Sequence, residues 1–247
     1  MKQLLKTSIA AAALICLSAG VAHASIFTTV DFETQQDGPF VFHSDHKNAG
    51  QFWTESYGVG KQLGDLVGSI IDGSNQADIC ADGIRCPQNN QSNYNALLND
   101  GYVFLGREDN QQFQLKSFLA SNIGVGDTLP ASSFIRVKGY QGATGVETDL
   151  LLSGLSNGEY NFTTLTLNAG FADMYFDYVR FLGVACTKVD FTACTNGNFK
   201  VNFALDNILT ATVPEPSSWL LMGLGIVVSV VYSVLDRSFF TWVASTY

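Results

Sequence analysis

Residues 133–139 read Ser-Phe-Ile-Arg-Val-Lys-Gly. Side chains on a strand point to opposite faces in turn, so Ile135 and Val137 share one face while Phe134, Arg136 and Lys138 share the other. One face suits a core and the other suits water. Outward from this stretch, short alternating runs recur between Gly, Asn and Asp turns, at residues 25–32, 102–105, 112–119, 146–152, 160–167, 174–182 and 199–209. In the run 112–119, Phe113, Leu115 and Ser117 fall on one face. No long helical periodicity and no useful repeat lies between Ser25 and Val213. Eight or so strands over this length predict an all-β fold, an antiparallel jelly-roll-like sandwich.

Two stretches fit that scheme poorly. Residues 72–99 are rich in Asn, Gln and Asp and read as a long surface loop. Residues 58–73 carry many glycines without the Gly-Lys-Ser/Thr ending or the β/α context of a phosphate loop. A weak helix or a strand pair is expected there.

The ends carry addresses. Residues 1–24 place Lys2 and Lys6 before a small-residue and Leu-rich run, and close on Ala22-His23-Ala24, the pattern of a secretory signal peptide. The mature chain is expected to begin at Ser25. Near the other end no charge occurs between Glu215 and Asp236. Its most apolar part, residues 219–235, would reach about 25 Å as a helix, enough for a short membrane span. Trp219 would sit at the interface and Arg237 on the cytoplasmic side. Before the span, Pro214 and Pro216 flank Glu215. Two residues there lack a backbone N–H and have fixed φ, so the segment stays extended and accessible.

Val213-Pro214-Glu215-Pro216-Ser217, an apolar span and then a basic residue resemble the PEP-CTERM sorting signal of exported bacterial proteins. The resemblance implies processing by an exosortase, transient membrane anchoring by the tail, and delivery to the surface or matrix of an exopolysaccharide producer. The usual signal stops soon after a basic cluster, whereas here Arg237 stands alone before SFFTWVASTY. The domains expected are thus a signal peptide (1–24), an ectodomain (25–212) and a sorting tail (213–247). Within the ectodomain, Asn202-Phe203-Ala204-Leu205-Asp206 resembles the Q-F-x-x-D motif of one PEP-CTERM group, with Asn in the Gln position.

Residues 25–213 hold 10 Lys and Arg (13 less Lys2, Lys6 and Arg237) against 20 Asp and Glu (22 less Glu215 and Asp236). A net charge of −10 argues against nucleic-acid partners, whose phosphates need a basic surface. Once Cys16 leaves with the signal, four cysteines remain, an even number in an oxidising compartment. Of three connectivities the local pairs Cys80–Cys86 and Cys186–Cys194 are favoured, each closing a short polar loop. Zinc is disfavoured, since neither pair is Cys-x-x-Cys.

Three candidate sites follow. Asp31 and Glu33 end the first predicted strand, and Asp206 and Asn207 lie in the last. First and last strands of a jelly roll commonly lie close, so these oxygens could hold a structural calcium ion. His43-Ser44-Asp45-His46 offers two imidazoles and a carboxylate, with no further metal ligand marked. Sugar stacking could draw on Phe52, Trp53, Tyr57, Tyr94, Tyr140 and Tyr175, with Trp53 and Tyr57 the best placed among polar and glycine neighbours. No Gly-x-Ser-x-Gly or His-Glu-x-x-His motif occurs. The reading is a non-enzymatic, exopolysaccharide-associated or carbohydrate-binding surface protein. A polysaccharide hydrolase or lyase on the same scaffold is the alternative, and a purely adhesive matrix protein a third.

Overall fold

Ser132–Gln141 is a strand whose Ile135 and Val137 are fully buried and whose Arg136 and Lys138 are half-exposed, as their alternation requires. The computed structural model describes residues 25–33, 40–76, 79–80, 83–125, 132–186, 188, 194 and 201–212. The expected signal peptide, the Val213–Pro216 motif and the 219–235 span lie outside these residues. Among the described residues no helix is long and apolar enough to cross a membrane.

In chain order the strands are β1 (Ile26–Val30), β2 (Phe40–Phe42), β3 (Asp45–Ala49), β4 (Phe52–Gly58), β5 (Leu66–Asp72), β6 (Ile84–Arg85) and β7 (Asn93–Leu97). Then come β8 (Gly101–Arg107), β9 (Gln114–Val125), β10 (Ser132–Gln141), β11 (Thr144–Leu151) and β12 (Thr163–Thr166). A single-turn helix, α1 (Ala169–Ala172), precedes β13 (Tyr178–Cys186) and β14 (Asn202–Thr212). They form two antiparallel sheets within a compact unit, Phe27–Thr212. Sheet I runs β12-β9-β14-β7-β5-β2, with β1 also on β14 and β6 on β9; sheet II runs β11-β10-β13-β8-β4-β3.

The sheets share one core. Phe118 of β9 meets Phe181 of β13 edge to face at 5.0 Å, and Phe52 of β4 meets Phe113 at 5.2 Å. Each such ring contributes about 1.5–3 kcal/mol by leaving water. The first and last strands do pair, and the Thr210 hydroxyl donates to the Thr28 carbonyl at 2.9 Å.

Several expectations are corrected. Residues 72–99 are not simply a surface loop, because β7 lies inside sheet I with Tyr94, Ala96 and Leu97 fully buried. Its outer side is covered by the chain itself: Asn89 exchanges two hydrogen bonds with the Phe162 backbone, and Phe162 meets Tyr94 at 5.2 Å. Residues 58–73 supply the end of β4, a turn and β5; those strands belong to different sheets and do not pair. Ser117 leaves the face of Phe113 and Leu115, because an extra residue at Lys116 shifts the β9–β14 register and passes the inward phase to Phe118 and Ala120. The 160–167 run is a strand only over Thr163–Thr166, since Tyr160 and Phe162 turn into the cover. The 174–182 run starts as a strand at Tyr178, after α1 and its turn. The strands β2 and β3, and β4 before Gly58, were not expected.

Candidate functional site: an aromatic outer face

The cover leaves sheet I closed on both sides, whereas sheet II turns its outer face to solvent. Antiparallel pairing sets that face in rows. One row crosses all six strands as Gly145, Tyr140, Tyr178, Gly106, Trp53 and Asn48. The next runs Glu147, Lys138, Arg180, Phe104, Glu55 and His46. A third runs Asp149, Arg136, Leu182, Tyr102 and Tyr57.

Between strands the rings pack against one another. Tyr140 and Tyr178 stack at 4.7 Å, Tyr57 and Tyr102 at 5.7 Å, and Phe104 stands edge-on to Tyr57, Tyr102 and Tyr178. Trp53 lies flat because its neighbour is Gly106; a Cβ there would overlap the indole. The indole N–H donates to the Arg107 carbonyl at 3.1 Å and His46 stacks on the ring at 5.7 Å. The result is a half-buried aromatic band.

Polar groups frame the band. Arg136 makes a bidentate pair with Asp149, both contacts at 2.8 Å. The Tyr57 hydroxyl donates to Glu55 at 2.6 Å, which holds the phenol pKa above its ordinary value, with desolvation adding to the shift. Tyr102 is also raised, by burial, against the opposing pull of Arg180. At the hairpin between β10 and β11 the Gly142 N–H donates to Asp177 at 2.6 Å, and its φ of +56° is one glycine adopts readily.

Of the aromatic residues expected to meet sugar, Trp53, Tyr57 and Tyr140 are on this face. Phe52 and Tyr94 are core, fully buried, and so unavailable. Tyr175 is half-buried in the turn before β13, off the sheet. Tyr102, Phe104 and Tyr178 were missed; their alternation with Val103, Leu105 and Val179 was the signal that could have found them.

The carboxylates lie elsewhere. Asp206 is fully buried on the covered side of sheet I, where it accepts from Asn90 Nδ2 (2.8 Å), Ser92 Oγ (2.7 Å) and Asn207 Nδ2 (3.1 Å) on one oxygen. The other accepts from the Asn207 N–H at 2.7 Å. Burial raises its pKa, the hydrogen bonds oppose that shift, and the Glu33 charge adds to it. Glu33 accepts from the Asn93 N–H at 2.7 Å, and Asp31 from the Glu33 N–H at 3.4 Å. Asn207 turns its amide N–H, not its oxygen, toward Asp206, with φ at +45°. Four protein donors thus occupy the Asp206 carboxylate. Among the described residues no group of three or more His, Cys, Asp or Glu is placed to hold a metal ion. His43 accepts from the Gly58 N–H through Nδ1 at 3.2 Å and meets the Tyr57 edge, while His46 sits on Trp53.

Both expected disulfides are present. Cys80–Cys86 braces the cover of sheet I; Cys186–Cys194 closes over a small cluster with Phe134, Leu182 and Val184. A concavity of about 290 Å³ beside the first is lined by Arg85, Gln88, Glu159 and Tyr160.

Comparison with known proteins speaks to the tail. Residues 212–234 match the PEP-CTERM protein-sorting motif. The chain carries that motif. It implies export, membrane anchoring through the C-terminal tail, exosortase processing and then surface display. No curated protein matches the sequence. A solved Stig cyclase, Fisc from Fischerella sp. TAU in complex with (3Z)-3-(1-methyl-2-pyrrolidinylidene)-3H-indole, is similar at 9% identity. That likeness covers 80% of this chain and 93% of that one, with a TM-score of 0.28. A likeness at that score decides neither fold nor activity.

Proposed function

We propose that this protein is a non-enzymatic, polysaccharide-binding component of the extracellular matrix, displayed after exosortase processing, with the outer face of sheet II as its glycan platform. The observation that carries the reading is the band of Trp53, Tyr57, Tyr102, Phe104, Tyr140 and Tyr178 on an open sheet face. Sugar rings present apolar C–H faces that bury against such rings, while hydroxyls find the flanking Glu55, Arg136 and Asn48. A jelly-roll-like sandwich and membership of the Q-F-x-x-D group, through Asn202–Asp206, belong to the same reading.

The test is equilibrium binding of the full-length chain, in detergent, to exopolysaccharide from its own host, with reducing ends assayed in parallel. Saturable binding without sugar release, weakened at least fivefold by Tyr140→Ala, is expected. Release of oligosaccharide would replace this reading with a hydrolase or lyase. Self-association without sugar affinity would replace it with an adhesive protein.

A further inference from the structure

Lys138 on β10 and Arg180 on β13 are direct cross-strand partners in the middle of the aromatic face. Like charges placed opposite each other on a sheet repel, so this juxtaposition by itself is unfavourable. The other face cation, Arg136, is matched by Asp149. Lys138 and Arg180 have no ion pair within 4 Å among the described residues, and the buried Nε of Arg180 has no hydrogen-bond partner. Their side chains lie against rings instead: Lys138 Nζ is 5.4 Å from the Tyr140 ring centre and the Arg180 guanidinium 5.9 Å from that of Tyr102. Of the acids in the same row, Glu147 is the cross-strand neighbour of Lys138 on β11 without an ion pair within 4 Å among the described residues, and Glu55, separated from Arg180 by Phe104, already accepts from Tyr57. Where residues 25–213 carry a net charge of −10, two adjacent cations without an ion pair within 4 Å and set against aromatic rings stand apart from the general charge.

Resting on the glycan-binding reading above, we infer that the polymer bound on this face is acidic, a uronic-acid polysaccharide whose carboxylate lies between Lys138 and Arg180 while its ring stacks on Tyr140 and Tyr178. A guanidinium with free donors suits a carboxylate. A carboxylate there would also relieve the Lys138–Arg180 repulsion. Neutral chains would gain the stacking alone.

The experiment measures binding of the full-length chain in detergent to three probes: polygalacturonate, a neutral β-glucan of similar length, and polyglutamate. Polygalacturonate is expected to bind at least tenfold more tightly than either other probe, and to weaken at least fivefold between 50 and 500 mM salt. Lys138→Gln with Arg180→Gln should remove at least tenfold of the polygalacturonate affinity and leave β-glucan binding within twofold; Lys61→Gln should change neither. Should the double variant lose its cooperative melt, Lys138→Gln alone is expected to lose at least threefold. Equal affinity for polygalacturonate and β-glucan would overturn the acidic ligand and leave the glycan reading standing. Equal affinity for polyglutamate would mean charge without ring stacking, which overturns the sugar. No binding to any of the three, or to host exopolysaccharide, would overturn both readings.

Discussion

Asp206→Ala removes the acceptor on which the cover of sheet I converges. Four donors point at its carboxylate in the wild type. Ser92 keeps a second acceptor, Asn90 Oδ1 at 2.5 Å, and the exposed Asn207 amide can turn to water. The Asn90 amide and the Asn207 N–H are the donors left without a partner. Each buried orphan costs about 1–3 kcal/mol, and loss of a buried charge returns part of that sum, so a net destabilisation of about 2–4 kcal/mol is expected. Asp206→Asn keeps one oxygen but sets an N–H₂ against existing donors, so about 1–3 kcal/mol is expected. Asp65→Ala, at an exposed turn, should change stability by less than about 1 kcal/mol.

The assay is urea unfolding of the 25–212 ectodomain, followed by tryptophan fluorescence from pH 4 to 7. Because burial raises the folded-state pKa of Asp206, its titration favours the fold most below the unfolded value and less as pH rises through the folded one. The wild type should therefore lose stability relative to Asp206→Asn over the lower part of that range and run parallel above it. A calcium arm belongs to the same experiment. With four protein donors on Asp206, EGTA should leave the midpoint unchanged; a calcium-dependent rise would mean that Asn90 and Asn207 turn their oxygens inward to a cation. An Asp206→Ala variant within 0.5 kcal/mol of wild type, on the scale set by these hydrogen bonds, would refute the reasoning.

Three further outcomes are expected. Gly106→Val should lift Trp53 from the sheet, visible as a red-shifted tryptophan emission and at least a threefold loss of glycan affinity, with the core intact. Cys186→Ser with Cys194→Ser opens a loop of sequence separation 8 and should lower stability by about 2.5 kcal/mol in denaturant unfolding. In the native host, intact mass should show loss of residues near Pro214–Pro216 and release from the inner membrane. Pro214→Ala with Glu215→Ala should retain the full mass there, and an unchanged mass in cells with and without the processing enzyme would sink the sorting assignment.

Legibility in the sequence followed burial. Ser132–Gln141 could be read because one face is dry and the other wet, which writes a period of two into the residues. Leu66–Asp72 and Asn93–Leu97 are buried on both faces, so LVGSIID and NYNAL carry no alternation, and the small and amide residues of the second imitate a loop. The extra residue at Lys116 put the inward phase one step out for everything after it in β9. Trp53 and Tyr57 could be chosen from their neighbours, but joining them to Tyr140 and Tyr178 needed a cross-strand register that no local pattern holds. The sorting motif, being a linear signal read by another protein, was fully visible without any fold at all.

The chain enters its sorting tail directly from Thr212, the end of β14, and β14 lies inside sheet I. It is bonded along most of its length to β9 on one side, and on the other to β7 through residues 203–205 and to β1. A pull transmitted through the tail along this strand must shear hydrogen bonds on both sides together, where a terminal edge strand would unzip them one at a time. The point where the chain leaves the sheet toward its tail is thus held by two ladders loaded in parallel.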